Sequence, residues 1–176
     1  MFYLVDSENK YVHINQNALD TCCFLGLLNG EPNYFDRNLL KYCIIQVDLN
    51  KKIEELISQN YYIFMLGLDT FFELTCAETI DLLKRKYNHI LLYCVVQDKK
   101  NFINDDFKER YYKILKIADK VIYLYNGLED DFITNRTKFL IENSSCLITP
   151  DLYDRDVHEF IEYARLKRLH IEYIKL

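Results

Sequence analysis

Two carboxylates spaced four residues apart are the first feature of this sequence that could carry out chemistry. Asp69 and Glu73 follow the apolar run Tyr61–Leu66, and Glu78 stands about one helical turn further on. Side chains four apart share one side of a helix, and clustered carboxylates are good ligands for Mg²⁺. Asp69 and Glu73 are therefore candidate catalytic residues of a metal-dependent phosphodiesterase or nuclease. We favour the alternative that Glu73 caps its helix, because carboxylates stabilise the free N–H groups of a helix start.

The other reactive side chains form no recognisable pattern. The six cysteines have no Cys-x-x-Cys spacing, and no two of the four histidines have the spacing of paired metal ligands. We therefore expect no metal and no cofactor, and we expect buried free thiols, as in cytosolic proteins. The first residues do not form a signal peptide, and no apolar run is long enough to span a membrane. These observations predict a cytoplasmic protein with no membrane partner.

The elements that must position these residues alternate along the chain. Runs with helical apolar spacing are separated by short apolar runs that are typical of central parallel strands. The predicted strands are a hairpin over residues 2–14, then Thr21–Leu25, Tyr61–Leu66, His89–Val96, Lys120–Tyr125, Cys146–Thr149 and His170–Ile174, and the predicted helices are Arg37–Gln59, Glu73–Tyr87, Asp105–Ala118, Ile133–Asn143 and Asp154–Lys167.

This alternation predicts an α/β fold. Long crossovers between short strands give parallel, right-handed connections, so we expect a three-layer Rossmann-like sandwich with a mostly parallel sheet. An N-terminal β-hairpin over residues 1–19 precedes the main domain over residues 20–176. In such sheets, ligands bind outside the carboxyl ends of the strands.

Three segments resemble one known family. They are Glu109-Arg-Tyr-Tyr-Lys-Ile-Leu-Lys-Ile-Ala-Asp-Lys-Val121, Asn135-Arg-Thr-Lys-Phe-Leu-Ile-Glu-Asn-Ser144 and Glu162-Tyr-Ala164, preceded by Cys22-Cys23-Phe24 in the first core strand. In order and spacing they resemble the YpsA-like branch of the SLOG superfamily, which is related to the lysine-decarboxylase-like LOG proteins. The resemblance covers roughly residues 21–176. It implies a pocket for a nucleotide-like molecule, such as ADP-ribose or NAD, that the chain would bind or cleave.

The same resemblance indicates which residues correspond to the pocket, and several of them differ from the family pattern. The family's Gly-x-x-x-Gly-x-Asp at the end of the second core strand is Gly67-Leu-Asp-Thr-Phe71-Phe-Glu73 here, and its Tyr-Asp-Gly is Pro150-Asp151-Leu152. A phenylalanine at position 71 would put a ring where the backbone approaches a ligand. The positions carried over are Gly26, Gly67, Phe71, Glu73, Arg136 and Asp151.

Charge also argues against an anionic ligand. The net charge is −5, which disfavours direct binding of nucleic acid, and the chain has only four glycines for a phosphate-binding loop. The loops and helix starts at the carboxyl edge carry twelve acidic residues against four basic ones. The acids are Glu31, Asp36, Asp69, Asp98, Asp105, Asp106, Glu129, Asp130, Asp131, Asp151, Asp154 and Asp156, and the bases are Arg37, Lys99, Lys100 and Arg155. Helix capping, a solvated face, a basic protein partner and a divalent-metal site all remain open.

Aromatic residues accompany this acidic face. Tyr and Phe supply interface area at low entropic cost. Those in the hairpin or crevice loops are Tyr3, Tyr11, Tyr34, Phe35, Phe71, Phe72, Phe102 and Tyr153.

Three functions follow as hypotheses. The first is a non-catalytic protein-binding regulator, such as a phage or mobile-element inhibitor of a host nucleic-acid enzyme of the CRISPR-effector kind. It would bind a basic partner, or a second copy through the hairpin, and the partner-binding residues would be Glu129, Asp130, Asp131, Asp154, Asp156 and Tyr153. The second is a nucleotide-derivative binding or cleaving domain. The third is the metal-dependent hydrolase described above.

Overall fold

A computed structural model describes residues 3–6, 18–26, 40–97, 104–125, 132–151 and 155–175. Within these ranges the chain forms seven strands, five α-helices and one turn of 3₁₀-helix at Ala18–Asp20. The strands are β1 (Tyr3–Asp6), β2 (Thr21–Phe24), β3 (Ile63–Leu66), β4 (Leu91–Val96), β5 (Lys120–Tyr125), β6 (Cys146–Pro150) and β7 (His170–Ile174), and the helices are α1 (Leu40–Ser58), α2 (Phe71–Lys84), α3 (Asp105–Ile117), α4 (Phe132–Glu142) and α5 (Arg155–Leu166).

The described strands form one sheet in the order β1-β5-β4-β3-β2-β6-β7. Strands β2 to β7 are parallel to their neighbours, and only β1 runs antiparallel, against β5. The chain proceeds from β2 to β5 in one direction and then returns to place β6 on the other side of β2. The sheet order therefore reverses between β2 and β6, which is where ligands bind in open α/β sheets. The predicted α/β Rossmann-like architecture is confirmed.

Alternating strand residues build a core on each face of this sheet. On one face, Cys22, Phe24 and Phe64 pack with the apolar sides of α1, α2 and α3. On the other face, Cys23 and Met65 pack with α4 and α5. Every residue of β2, β3 and β6 is buried, which explains why these strands are apolar throughout rather than alternating. The three layers are therefore α1–α3, the sheet, and α4–α5.

The N-terminal strand belongs to this sheet. Tyr3 to Asp6 pair with residues 125 to 122 of β5, so β1 extends the core sheet at its edge. The second strand of the predicted hairpin falls outside the described residues. The division of the chain at residue 19 stays a prediction.

Several element boundaries differ from those predicted. Helix α2 begins at Phe71 rather than Glu73, because Thr70 is its N-cap. Strand β4 begins at Leu91, two residues after His89. The cysteine prediction was wrong at one position: five thiols are buried, but Cys43 is exposed on α1. In the described part of the chain, no helix combines the length and apolarity needed to cross a membrane.

Candidate functional site

The predicted pocket residues lie along the carboxyl edge of the sheet. Gly26 follows β2, Gly67 follows β3, and Asp151 follows β6. Asp151 is exposed, and its backbone N–H donates to the carbonyl of Ile174 at 2.7 Å, which joins the ends of β6 and β7. The glycines lie closer to the centre of the sheet, and each is covered by a side chain of this protein.

Thr70 covers Gly26. A Cβ added at Gly26 would come within 2.7 Å of the Cβ of Thr70 and still closer to its hydroxyl oxygen. Glycine at position 26 is therefore required by the packing of the α2 start against the end of β2. The close approach that a ligand would make in a nucleotide-binding fold is made here by Thr70.

Arg136 covers Gly67. Its side chain comes from α4, is fully buried, and would lie 2.5 Å from a Cβ at position 67, measured to Cζ. Its Nη1 forms an ion pair with the Asp69 carboxylate and lies 3.5 Å from the carbonyl oxygen of Gly67. Burial lowers the pKa of the Arg136 guanidinium, whereas the adjacent carboxylate favours its charged form. An arginine remains protonated under such conditions, so this is a buried ion pair.

The backbone turns sharply between Gly67 and Asp69. Leu68 has a φ of 58°, in the left-handed region that a leucine rarely adopts, and its side chain is buried. Strained backbone of this kind persists only where the surrounding packing holds it. The turn connects Gly67, beneath the guanidinium, to Asp69, which pairs with it.

Glu73 occupies the amides at the start of α2. Its Oε2 accepts hydrogen bonds from the backbone N–H groups of Asp69 at 2.6 Å and Thr70 at 3.2 Å. Thr70 completes a capping box, because its Oγ1 accepts a hydrogen bond from the N–H of Glu73 at 3.1 Å. Glu73 is fully buried. A phosphate group commonly binds at a helix N-terminus, and here the two N–H groups that directly precede the helix bind a carboxylate of the same chain.

The sequence predicted that the Phe71 ring stands where the backbone approaches a ligand, and in the structure this ring packs against α3. The ring contacts Phe107 edge-on, with centroids 5.0 Å apart, and lies 5.5 Å from the guanidinium of Arg110. Both partners are on α3. Phe71 is the first residue of α2, and its side chain packs against this neighbouring helix. The atoms that a Cβ at position 67 would meet first are those of the Arg136 guanidinium. Phe72, predicted to line the crevice, is a fully buried core residue.

A second buried arginine, which the sequence analysis missed, connects α3 to α2. Arg110 donates from Nε and Nη2 to the two carboxylate oxygens of Glu78 at 2.9 and 3.0 Å, and from Nη2 to Thr75 at 3.3 Å. Tyr42 of α1 also donates to Glu78, at 3.4 Å. A signal was available, because Arg110 follows the buried Phe107 by three residues and therefore shares its helix face. This network connects α1, α2 and α3.

The candidate metal ligands do not converge. Asp69 pairs with Arg136, Glu73 binds backbone amides, and Glu78 binds Arg110. The described residues contain no group of three His, Cys, Asp or Glu side chains arranged to hold a metal ion.

Part of the acidic face can be located. Asp105 and Asp106 are exposed in the first turn of α3, but the cap itself is Asn104, whose side chain accepts from the N–H of Phe107 at 2.8 Å. The backbone of Asp156 lies in the first turn of α5. The other proposed partner-binding residues fall outside the described ranges: Glu129, Asp130, Asp131, Tyr153 and Asp154.

The fold and this edge define a Rossmann-like domain whose ligand-binding crevice is lined by its own ion pair and capping box. Comparison with known proteins identifies the family: the YpsA model, described as the YspA SLOG family, matches residues 22–171. The chain therefore belongs to the SLOG family of YpsA-like proteins. No curated protein matches it.

Proposed function

We propose that this chain is a non-catalytic, protein-binding member of the SLOG family. The observation that supports the proposal is the position of the Glu73 carboxylate on the amides of Asp69 and Thr70. A phosphate would have to displace this buried carboxylate, and the nearby guanidinium of Arg136 is already paired with Asp69. Separating buried charge pairs costs several kcal/mol, which a weakly held ligand does not recover.

We further propose that the partner of this chain is a basic protein. The loops and helix starts predicted at the carboxyl edge of the sheet have more acidic than basic residues, which supports this choice. Tyr153, which lies between the acidic residues Asp151 and Asp154, supports it as well. An arginine-rich surface of a host nucleic-acid enzyme, such as a CRISPR effector, has the complementary charge. The chain would then act in the cytoplasm as an inhibitor encoded by a phage or mobile element.

A ligand screen tests the loss of the small-molecule site. Calorimetric titration with ADP-ribose, NAD and ATP should give no saturable heat for the wild-type chain. Saturable binding that Arg136→Ala abolishes would contradict the proposal.

Salt dependence tests the nature of the partner. Proteins captured from the source cell should dissociate as salt rises, because exposed charges are screened. The variant Glu129→Gln/Asp130→Asn/Asp131→Asn should capture less of them. The matched control Glu109→Gln/Glu159→Gln/Glu162→Gln removes three exposed acids from helices elsewhere and should behave as wild type. If both variants capture equal amounts of the partner, the acidic residues 129–131 do not contribute to binding.

A nucleotide-derivative binding function is the second candidate. It is favoured by membership of the SLOG family and by an arginine that lies over a glycine at the carboxyl edge of the sheet. It requires Asp69, which is 20% exposed, to move off the guanidinium so that an anionic group can replace it. The same titration distinguishes the two functions.

A further inference from the structure

The turn that connects β3 to α2 differs from the other left-handed turns of this chain. In the described part of the chain, three residues other than glycine have a φ in the left-handed region: Asn60, Leu68 and Arg168. Asn60 and Arg168 each follow a helix in a Schellman motif, where this conformation is common. At Asn60, for example, the N–H of Tyr61 donates to the carbonyl of Leu56 at 3.0 Å. Leu68 lies between a strand and the start of a helix, so a helix end does not account for its φ of 58°.

The conformation of Leu68 is unfavourable for a leucine. A left-handed backbone brings the Cβ of an L-residue close to a carbonyl oxygen, which disfavours this conformation about 5- to 30-fold. The side chain of Leu68 is fully buried, in the same apolar cluster as Phe24 and Phe72. Because strain of this kind persists only where other contacts hold it, the neighbours of Leu68 must stabilise the turn.

Two contacts of Asp69 hold the turn in this conformation. Its carboxylate pairs with the fully buried Arg136, and its N–H donates to Oε2 of Glu73 at 2.6 Å. Asp69 directly follows Leu68, so a change of Leu68 to a negative φ reorients the Asp69 backbone and side chain and breaks both contacts. The strain at Leu68 and the contacts of Asp69 therefore favour opposite conformations of the same turn.

We propose that residues 67–69 form a conformational latch over the crevice. In the closed state, Leu68 has its positive φ and Asp69 covers the guanidinium of Arg136. In the open state, Leu68 has a negative φ, and Asp69, whose side chain is already 20% exposed, moves into solvent. An anion can bind Arg136 only in the open state, so its apparent affinity is reduced in proportion to the open fraction. The inference requires neither candidate function, because the latch can be tested without a ligand.

The first test measures the strain at Leu68. Leu68→Ala and Leu68→Gly both remove the buried side chain, but only glycine adopts a positive φ without steric cost. In urea denaturation, the unfolding equilibrium constant of Leu68→Gly should be about 3-fold smaller than that of Leu68→Ala, although alanine is the more stabilising residue at ordinary positions. A Leu68→Gly variant that is no more stable than Leu68→Ala would overturn the proposal.

The second test measures opening by amide hydrogen exchange. Asp69→Asn weakens the contact with Arg136, so the latch should open more often. The protection factors of the amides of residues 69 and 70 should fall at least about 10-fold further than those of Phe64 and Met65, which are paired within the sheet and report global unfolding. Equal losses of protection at both places would overturn the proposal.

A second substitution in the Asp69→Asn background connects this opening to the strain. Adding Leu68→Gly should restore part of the protection at residues 69 and 70, whereas adding Leu68→Ala should not. Asn60→Gly is the matched control, because it replaces another residue of positive φ at the exposed end of α1 and should leave this protection unchanged. Equal protection after Leu68→Gly and Leu68→Ala would overturn the latch.

Discussion

The carboxylate of Glu73 lies 2.6 Å from the backbone nitrogen of Asp69 and accepts its hydrogen bond. A carboxylate of the chain itself therefore binds the backbone just before α2, and it belongs to a residue four positions after Asp69. The neighbouring guanidinium of Arg136 pairs with the side chain of Asp69. Asp69 therefore contributes to both features, its amide binding one charged group and its carboxylate the other. Two charged groups of the crevice are thus bound by groups of the same chain.

Glu73→Ala should expose the amides at the start of α2. The loss of the capping box should destabilise the fold by about 1–2 kcal/mol. Inorganic phosphate should recover part of that loss, because an anion can take the position of the carboxylate. Chemical denaturation in phosphate and in chloride at equal ionic strength measures both effects.

Glu159→Ala is the control for this experiment, because Glu159 is exposed on α5. It should change stability little, and phosphate should not stabilise it more than wild type. A Glu73→Ala variant as stable as wild type would show that the capping box contributes nothing.

Asp69→Ala should be more damaging. It removes the carboxylate that pairs with the fully buried Arg136, and breaking a buried ion pair from one side costs about 3–5 kcal/mol. Replacing both residues, as Asp69→Ala/Arg136→Met, should cost much less than the sum of the two single changes. A double-mutant cycle from urea denaturation measures this coupling, and additive effects would show that the two side chains do not interact.

Arg110→Ala should separate α3 from α2. The guanidinium is 2% exposed and binds both oxygens of Glu78, so its removal should cost about 3 kcal/mol. Lys113→Ala is a control on the same helix. Its exposed ion pair with Glu109 should contribute less than about 0.5 kcal/mol. Equal losses of unfolding free energy in the two variants would contradict a structural role for the buried network.

The stability of the chain should fall in acid partly through Glu172. Its hydrogen bond from Lys52, at 2.7 Å, lowers the pKa of the carboxyl below its ordinary value of 4.5, although partial burial opposes this. A carboxyl whose pKa is lower in the folded state stabilises the fold above pH 4.5 and loses that contribution as the pH falls further. The contact joins α1 to β7, and its contribution should be below about 1 kcal/mol because the side chains are partly exposed.

Glu172→Gln should therefore reduce the slope of unfolding free energy against pH in this range. The exposed Glu159→Gln serves as the comparison. Identical slopes in wild type and Glu172→Gln would exclude the Lys52 contact as a source of acid sensitivity.

Local patterns in the sequence predicted the order of strands and helices well, because each buried strand is a short apolar run between amphipathic helices. The start of α2 was misplaced although its signal was present. Thr70 and Glu73 have the Thr-x-x-Glu spacing of a capping box, which places the cap at residue 70.

The ion pair between Asp69 and Arg136 could not be predicted from local sequence. The two residues are 67 positions apart and come from opposite sides of the sheet layer, so only the fold brings them together. Likewise, the direction of the Phe71 ring depends on the packing of α2 against α3. The family resemblance pointed to Gly67, Glu73 and Arg136, but their contacts with one another and with Asp69 depend on the fold.

The backbone N–H groups at the end of β3 and before α2 decide whether the crevice can bind an anion. An ¹⁵N-labelled sample titrated with ADP-ribose reports directly on the backbone N–H groups of Gly67, Asp69 and Thr70. We expect these resonances to stay unchanged in the wild-type chain and to shift with added phosphate in Glu73→Ala. Saturable shifts of the same three resonances when ADP-ribose is added to the wild-type chain would contradict the closed site.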